Sequence, residues 1–124
     1  MAERKKILLV DDSSTVRLME RMVLARHPFD LVEAQDGLEG LEKARAERPN
    51  LILMDVVMPR MTGLEACQRL RQAEETRGIP VIMVTTRGEL ESIESGYAAG
   101  CTDYITKPIN GIELLSKVRS CLGD

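Results

Sequence analysis

Four apolar runs in this chain each lead directly into a side chain that can do polar chemistry. Asp11 and Asp12 follow ILLV, Asp55 follows LILM, Thr85 follows VIMV, and Lys107 follows YIT. Carboxylate oxygens are the ligands that a hard divalent cation such as Mg²⁺ prefers. The residue types therefore predict a cation site, provided that the fold brings the ends of these runs together.

Three carboxylates at one place repel one another, and this repulsion needs a positive counterpart. Two unit charges about 4 Å apart interact by about 4 kcal/mol at an effective dielectric constant near 20. Lys107 supplies one positive charge, and Mg²⁺ bound by carboxylates and water would supply the rest. A second interpretation stays open, because Asp12, Ser13 or Ser14 would also suit the N-terminal cap of the following helix.

The apolar runs predict the strands of a parallel sheet. They do not alternate with polar residues, and continuous apolar runs of this length suit strands that are covered on both faces. DLVEA is the fifth candidate strand. Segments with helical spacing lie between the strands, for example Val16, Met19 and Val23 in the first, and about Glu89 to Ala99 in the fourth, which contains Gly96.

Strand and helix alternate five times, which predicts an α/β fold with helices on both faces of the sheet. In such sheets, ligands bind outside the carboxyl ends of the strands. Asp11, Asp12, Asp55, Thr85 and Lys107 would all gather at this edge. The alternation alone does not give the order of the strands.

Length and composition describe an ordinary globular domain. A chain of 124 residues can bury one core, so residues 1–124 are predicted to form a single domain. A net charge of −3 provides no positive surface of the kind that nucleic acid or anionic lipid requires. No apolar run approaches the length of a membrane span or a signal peptide. We therefore expect a cytoplasmic protein that neither enters a membrane nor binds nucleic acid directly.

The cysteines are expected to be small buried hydrophobic residues in a reducing compartment. Cys67, Cys101 and Cys121 are widely spaced, with no CxxC pair, and the chain has a single histidine. This pattern excludes a zinc site.

The motifs around the candidate residues resemble the receiver domain of two-component response regulators. The likeness covers essentially the whole chain, through ILLVDDS, LILMDVVMPRMTGLE, IPVIMVTT and AGCTDYITKPI. It implies a flavodoxin-like, doubly wound sheet of five parallel strands in the order 2-1-3-4-5, with five helices.

The resemblance implies roles for the acidic residues. Asp55 would be the phosphoacceptor, since an aspartate carboxylate can attack a phosphoryl group and form an acyl phosphate. Mg²⁺ would be the cofactor, bound by Asp11, Asp12, Asp55 and the backbone carbonyl of Val57. The protein would not be an enzyme in the usual sense, but would catalyse its own phosphorylation and dephosphorylation.

The resemblance also implies a switch and its partners. Lys107 would pair with the phosphoryl group, Thr85 would be the switch hydroxyl, and Tyr104 the switch aromatic. A sensor histidine kinase or a phosphotransfer protein would donate the phosphoryl group. A downstream protein target would then bind the face formed by helix 4, strand 5 and helix 5.

Other functions on a similar architecture fit the residues less well. A phosphohydrolase of the haloacid dehalogenase type would need a second aspartate where Val57 stands. A flavodoxin would need aromatic side chains around its flavin, but the chain has one Phe, two Tyr and no Trp. Within the receiver interpretation, a single-domain regulator is favoured, and the receiver portion of a longer regulator with a DNA-binding or enzymatic output domain is the alternative.

Overall fold

Strands and helices alternate along the chain as the sequence predicts. A computed structural model describes residues 4–86 and 90–123, with the backbone alone at residues 90–92. The elements in chain order are β1 (Lys5–Val10), α1 (Ser14–Leu24), β2 (Phe29–Ala34), α2 (Gly37–Glu47), β3 (Leu51–Asp55), α3 (Gly63–Gln72), β4 (Val81–Thr86), α4 (Leu90–Ala99), β5 (Asp103–Lys107) and α5 (Gly111–Leu122). None of the helices described is long and apolar enough to cross a membrane.

The five strands form one parallel sheet in the order β2-β1-β3-β4-β5. The predicted doubly wound fold with the order 2-1-3-4-5 is therefore confirmed. β1 and β3 lie side by side, with Val10 opposite Met54. The residues that follow this pair, Asp11 and Asp55, consequently reach the carboxyl edge of the sheet at the same level.

The core consists of two apolar layers, one on each face of the sheet, because successive strand residues point to opposite faces. Ile7 and Leu9 of β1 pack in the layer that contains Leu24 of α1 and residues of α5; we call this the α1/α5 face. Leu8 and Val10 pack in the layer formed with α2, α3 and α4, which we call the α2/α4 face. Burial on both sides explains why these runs contain no polar residue.

The sequence leaves open which of Asp12, Ser13 and Ser14 caps α1, and the structure answers this. Ser13 is the N-cap of α1, and its Oγ accepts a hydrogen bond from the backbone N–H of Val16 at 3.2 Å. Asp12 and Ser14 therefore do not cap this helix. The carboxylate of Asp12 is exposed at the edge of the sheet, where it is available for another role.

α4 packs closely on its neighbours at Gly96. A Cβ atom at this position would lie 3.3 Å from Sγ of Cys101 and 3.4 Å from Cγ of Met83. The glycine thus allows a close approach of the helix to the sheet. The predicted start of this helix at Glu89 lies outside the described residues.

The cysteine thiols are all free. Cys67 and Cys101 are buried, and Cys121 is half-buried. Cys67 and Cys101 are buried on the α2/α4 face, as the sequence predicts, whereas Cys121 lies at the margin of the α1/α5 face and is less buried than predicted.

Candidate functional site

Three carboxylates converge at the carboxyl edge of the sheet. Asp11 directly follows β1, Asp12 comes next in the loop to α1, and Asp55 is the last residue of β3. One oxygen atom from each of the three side chains lies within 4.8 Å of the others. Asp11 and Asp55 are buried, whereas Asp12 is exposed. The cluster is thus open to solvent on the side of Asp12.

Lys107, the last residue of β5, extends its amine into this cluster. Its Nζ lies 3.4 Å from Oδ2 of Asp11 and 3.3 Å from Oδ1 of Asp55. Burial of the amine works against its charge, but the neighbouring carboxylates of Asp55 and Asp11 outweigh it and raise the pKa of Lys107. Lys107 therefore stays protonated, and one ammonium faces three carboxyl groups.

The pKa of Asp55 reflects both its burial and this excess of negative charge. Burial raises the pKa of its carboxyl to about 6, and the negative charge of Asp11 adds to the effect, while Lys107 partly opposes it. Oδ2 of Asp11 is buried and forms an ion pair with Lys107, but it accepts no well-formed hydrogen bond from the described residues. An oxygen-lined cluster in which one ammonium offsets three carboxyl groups fits a hard divalent cation such as Mg²⁺.

The loop after Asp55 turns tightly and leaves Val57 at the surface. The side chain of Val57 is 68% exposed, and the backbone N–H of Gly63 donates to the carbonyl of Val56 at 2.8 Å. A Cβ atom at Gly63 would lie 2.0 Å from the carbonyl oxygen of Asp55, so only glycine fits there. The loop thus folds back against the strand that carries the candidate phosphoacceptor.

Thr85 and Tyr104 lie on the adjoining strands. Thr85 is buried in β4 and follows Val84, which is the register partner of Asp55. Tyr104, in β5, is half-buried and packs against the apolar layer of the α2/α4 face. It pairs in register with Met83, below the edge where the carboxylates gather. The structure brings Asp11, Asp12, Asp55 and Lys107 together, with Thr85 beside them and Tyr104 farther from the cluster.

The exposed side of Tyr104 belongs to a small aromatic and charged group. Its ring lies edge-on to that of Tyr97, with the ring centroids 6.1 Å apart. The amine of Lys117 lies 4.8 Å from the ring centroid of Tyr104 and 3.3 Å from Oδ1 of Asp103. These contacts join α4, β5 and α5 on one surface.

A fourth acid, which no pattern in the sequence indicates, lies near the cluster. Glu20 of α1 is 1% exposed, and its Oε1 makes no hydrogen bond with the described residues. The pKa of Glu20 is raised to about 8, chiefly by burial and also by the charge of Asp11, while Lys107 partly opposes the shift. The spacing of Val16, Met19 and Val23 suggests a different buried stripe.

The buried stripe of α1 is rotated from the one that this spacing suggests. Glu20 and Leu24 are its buried residues, whereas Met19 is 40% exposed. Val23 is half-buried against the α1/α5 face, as the spacing predicts. Periodicity does not identify Glu20, because a charged residue at a buried position gives no apolar signal.

Residues 7–119 match the family model described as the response regulator receiver domain. The chain belongs to this family. The resemblance seen in the motifs is therefore confirmed, and the protein is a receiver domain of two-component signalling. The haloacid dehalogenase and flavodoxin alternatives are set aside on the same finding.

The similar proteins include both short and long response regulators. Protein PilH of Pseudomonas aeruginosa is 38% identical over 94% of this chain and 97% of its own length. The transcriptional regulatory protein CseB of Streptomyces coelicolor is 38% identical over 98% of this chain, but over 51% of its own length. The chain spans about half the length of the curated transcriptional regulators that it matches.

A solved structure supports the same assignment. The structure of the chemotaxis protein CheY4 of Vibrio cholerae is similar with a TM-score of 0.90 and 35% sequence identity, covering 97% of this chain and 100% of that one. The similarity thus extends over the complete fold described above.

Proposed function

We propose that this receiver domain accepts a phosphoryl group on Asp55 from the phosphohistidine of a sensor histidine kinase or phosphotransfer protein, in a Mg²⁺-dependent reaction. The observation that carries the proposal is the convergence of three carboxylate oxygens within 4.8 Å of one another. The amine of Lys107 lies against two of the three carboxyl groups. Such a cluster provides both a nucleophile and a site for a metal.

Mg²⁺ would be bound by Asp11, Asp12, Asp55 and the backbone carbonyl of Val57. Bound there, it would neutralise negative charge on the oxygens of the transferring phosphoryl group. The exposed position of Asp12 leaves the cluster accessible to a hydrated cation and to the donor. Because Asp11 and Asp55 are buried, their carboxylates would limit the freedom of the bound cation to move.

The reaction at Asp55 is a displacement at phosphorus. A carboxylate oxygen of Asp55 forms a bond to phosphorus, while the P–N bond of the phosphohistidine breaks and its electrons return to the imidazole. With a pKa of about 6, Asp55 is ionised and nucleophilic at neutral pH. Lys107 already lies at the nucleophile and stabilises the negative charge of the phosphoryl oxygens in transit.

Phosphorylation of Asp55 changes the charges and hydrogen-bond acceptors next to Lys107 and Thr85. Asp55 loses its carboxylate charge when it becomes an acyl phosphate, and the new phosphoryl oxygens are strong acceptors. Lys107 and the hydroxyl of Thr85 would bind these oxygens, and Tyr104 would change its packing in response. The surface formed by α4, β5 and α5 would thereby change its affinity for a downstream protein.

The family and the composition support a proposal for where the domain acts and in what form. The domain would act in the cytoplasm, with residues 1–124 forming one unit that catalyses its own phosphorylation and dephosphorylation. We favour a single-domain regulator because the chain matches PilH over 97% of the length of that protein. A receiver portion of a longer DNA-binding or enzymatic regulator is the alternative, as the length of CseB illustrates.

The proposal is tested with acetyl phosphate as the phosphodonor and intact-protein mass spectrometry as the readout. The wild-type protein should gain one phosphoryl group in the presence of Mg²⁺ and none in excess chelator. Asp55→Asn should gain none under either condition. Asp30→Asn is the matched control, because Asp30 is an exposed aspartate on β2 that pairs with Arg4. Undiminished labelling of Asp55→Asn, or of wild type in chelator, would contradict the proposal.

A further inference from the structure

One arginine connects the first helix to the backbone between Asp11 and Asp12, the two consecutive aspartates proposed to bind the metal. Nη1 of Arg17 donates a hydrogen bond to the carbonyl oxygen of Asp11 at 2.5 Å. This carbonyl belongs to the peptide group that joins Asp11 to Asp12. The orientation of that peptide fixes where the chain places Asp12 relative to Asp11.

The same guanidinium is anchored on a second strand. Nε of Arg17 donates to Oε1 of Glu33, in β2, at 2.9 Å. The side chain of Arg17 is only 12% exposed, so water competes weakly for its hydrogen bonds. Arg17 thus connects α1, the β1–α1 loop and β2 through one planar group.

Glu33 is itself firmly positioned. Arg21 donates to Oε2 of Glu33 from Nε at 3.0 Å and from Nη2 at 2.6 Å. The amine of Lys43 donates to the backbone carbonyl of Glu33. Partial burial works against the charge of Glu33, but the hydrogen bonds from Arg21 and Arg17 outweigh it and lower its pKa. Glu33 therefore remains a charged anchor at neutral pH.

Other contacts position Asp11 but not the peptide that follows it. The N–H of Asp11 donates to the carbonyl of Ala34 at 3.1 Å, and the N–H of Ser13 donates to Oδ1 of Asp11 at 2.9 Å. The side chain of Asp12 is exposed, so its direction depends on the backbone. Among the hydrogen bonds of the described residues given above, the one from Arg17 acts on the peptide leading into Asp12.

On the basis of the proposed Mg²⁺ site, we infer that Arg17 is a positioning residue for the metal: through the carbonyl of Asp11 it aligns the carboxylates of Asp11 and Asp12. Groups that orient metal ligands without touching the metal contribute strongly to affinity. A guanidinium can bond the carbonyl and Glu33 at once because its donors are spread in a rigid plane, whereas an ammonium is a compact charge on a flexible stem.

Charge-conserving variants separate this role from general stabilisation of α1. Arg17→Lys retains the positive charge but loses the planar bridge. Arg21→Lys is the matched control, because Arg21 binds the same carboxylate from the same helix. The measurements are the dissociation constant for Mg²⁺ by isothermal titration calorimetry and the unfolding temperature of each metal-free protein.

Arg17→Lys should raise the dissociation constant for Mg²⁺ by about tenfold, the lower end of the usual effect of such orienting groups. Arg21→Lys should leave it within about twofold, although both variants lose part of an ion pair with Glu33. An unchanged constant in Arg17→Lys, or an equal increase in both variants, would overturn the inference while leaving the proposed metal site intact. Absence of Mg²⁺ binding by the wild type would instead overturn the proposed site, and the inference with it.

A second variant keeps the inference testable if Arg17→Lys does not fold. Glu33→Gln leaves both arginines in place but removes the anchor of Arg17, and it should weaken Mg²⁺ binding in the same direction. Asp30→Asn, on the same strand, makes the same change in net charge away from this network. Equal Mg²⁺ affinities of Glu33→Gln and Asp30→Asn would contradict a positioning role.

Discussion

The body of the sheet buries apolar side chains, whereas its carboxyl edge buries charged ones. In the body, residues such as Leu8, Ile52 and Leu53 are completely or almost completely removed from water and lie among other apolar side chains. At the edge, the same strands end in Asp11 and Asp55, which are buried close to each other and share one lysine. Burial stabilises the fold in the first region and works against it in the second. This difference supports the proposal that the edge residues serve chemistry, because functional sites are where such costs to stability are expected.

Two substitutions on one strand should change stability in opposite directions. Ile52→Ala in the body of β3 should lower the free energy of unfolding by about 2–5 kcal/mol, since it leaves a cavity in a close-packed layer. Asp55→Asn at the end of β3 should raise the stability of the metal-free protein at pH 7, because it removes a buried charge. Chemical denaturation in chelator measures both.

The pH dependence sharpens this contrast. The unfolded chain ionises Asp55 near its ordinary pKa of 3.8, whereas the folded protein retains the proton up to a pKa of about 6. Between these values the folded state binds more protons, so Asp55 makes wild-type stability fall as the pH rises. The increase in the free energy of unfolding caused by Asp55→Asn should therefore be small at pH 4 and reach its full size by pH 7. A loss of stability in Asp55→Asn at pH 7 would show that its bond to Lys107 outweighs the burial of its charge.

Glu20 should give the next largest effect. Oε1 of Glu20 is buried without a hydrogen-bond partner among the described residues, so replacing the side chain by an apolar one in Glu20→Met should be stabilising by about 1–3 kcal/mol. The pKa of Glu20 rises from its ordinary value of 4.5 to about 8 on folding, so wild-type stability falls as the pH rises through this window. The gain in Glu20→Met should be larger at pH 8 than at pH 5.

Glu42→Met is the control for this substitution, because Glu42 of α2 is exposed and its replacement should change stability by less than about 0.5 kcal/mol. If Glu20→Met is destabilising at pH 8, Glu20 has a stabilising partner and the edge is better compensated than we infer.

The smallest effect should be a redistribution of flexibility on activation. Beryllofluoride, a mimic of the phosphoryl group, should change amide hydrogen exchange more in α4 and β5 than in α2. Thr85 and Lys107 lie on either side of α4 in the chain, and both would be drawn to the new anion. Rearrangement of Tyr104 would also disturb its contact with Lys117.

The Asp55→Asn protein should show no such change in exchange. A response that is strongest in α2 would show that the signal leaves through a different surface.

Much of the fold follows from the sequence through simple rules. Continuous apolar runs predict strands that are covered on both faces, and the side chains after them are predicted to share one edge; the structure places Asp11, Asp12, Asp55 and Lys107 there. The strand order required the resemblance, because strand and helix alternate in the same way whatever the order. The roles of Val57, Thr85 and Tyr104 also rest on the resemblance and stay predictions.

The missed residues depend on contacts between distant parts of the chain. Glu20 occupies a buried position of α1 next to Leu24, and an acid there gives no apolar signal. Arg17 bonds to a backbone carbonyl, and no residue pattern indicates such a bond. Periodicity identifies which segments are buried, but it does not show which polar group one of them brings to the edge of the sheet.

Locating the phosphoryl group in the labelled protein tests most directly whether Asp55 is the phosphoacceptor. After reaction with acetyl phosphate and Mg²⁺, borohydride converts an acyl phosphate of aspartate into homoserine, and peptide sequencing by mass spectrometry then identifies the modified residue. We predict homoserine at position 55 and at no other aspartate. Homoserine at Asp11 or Asp12, or a stable phosphoryl ester on Ser13 or Thr85, would contradict the account.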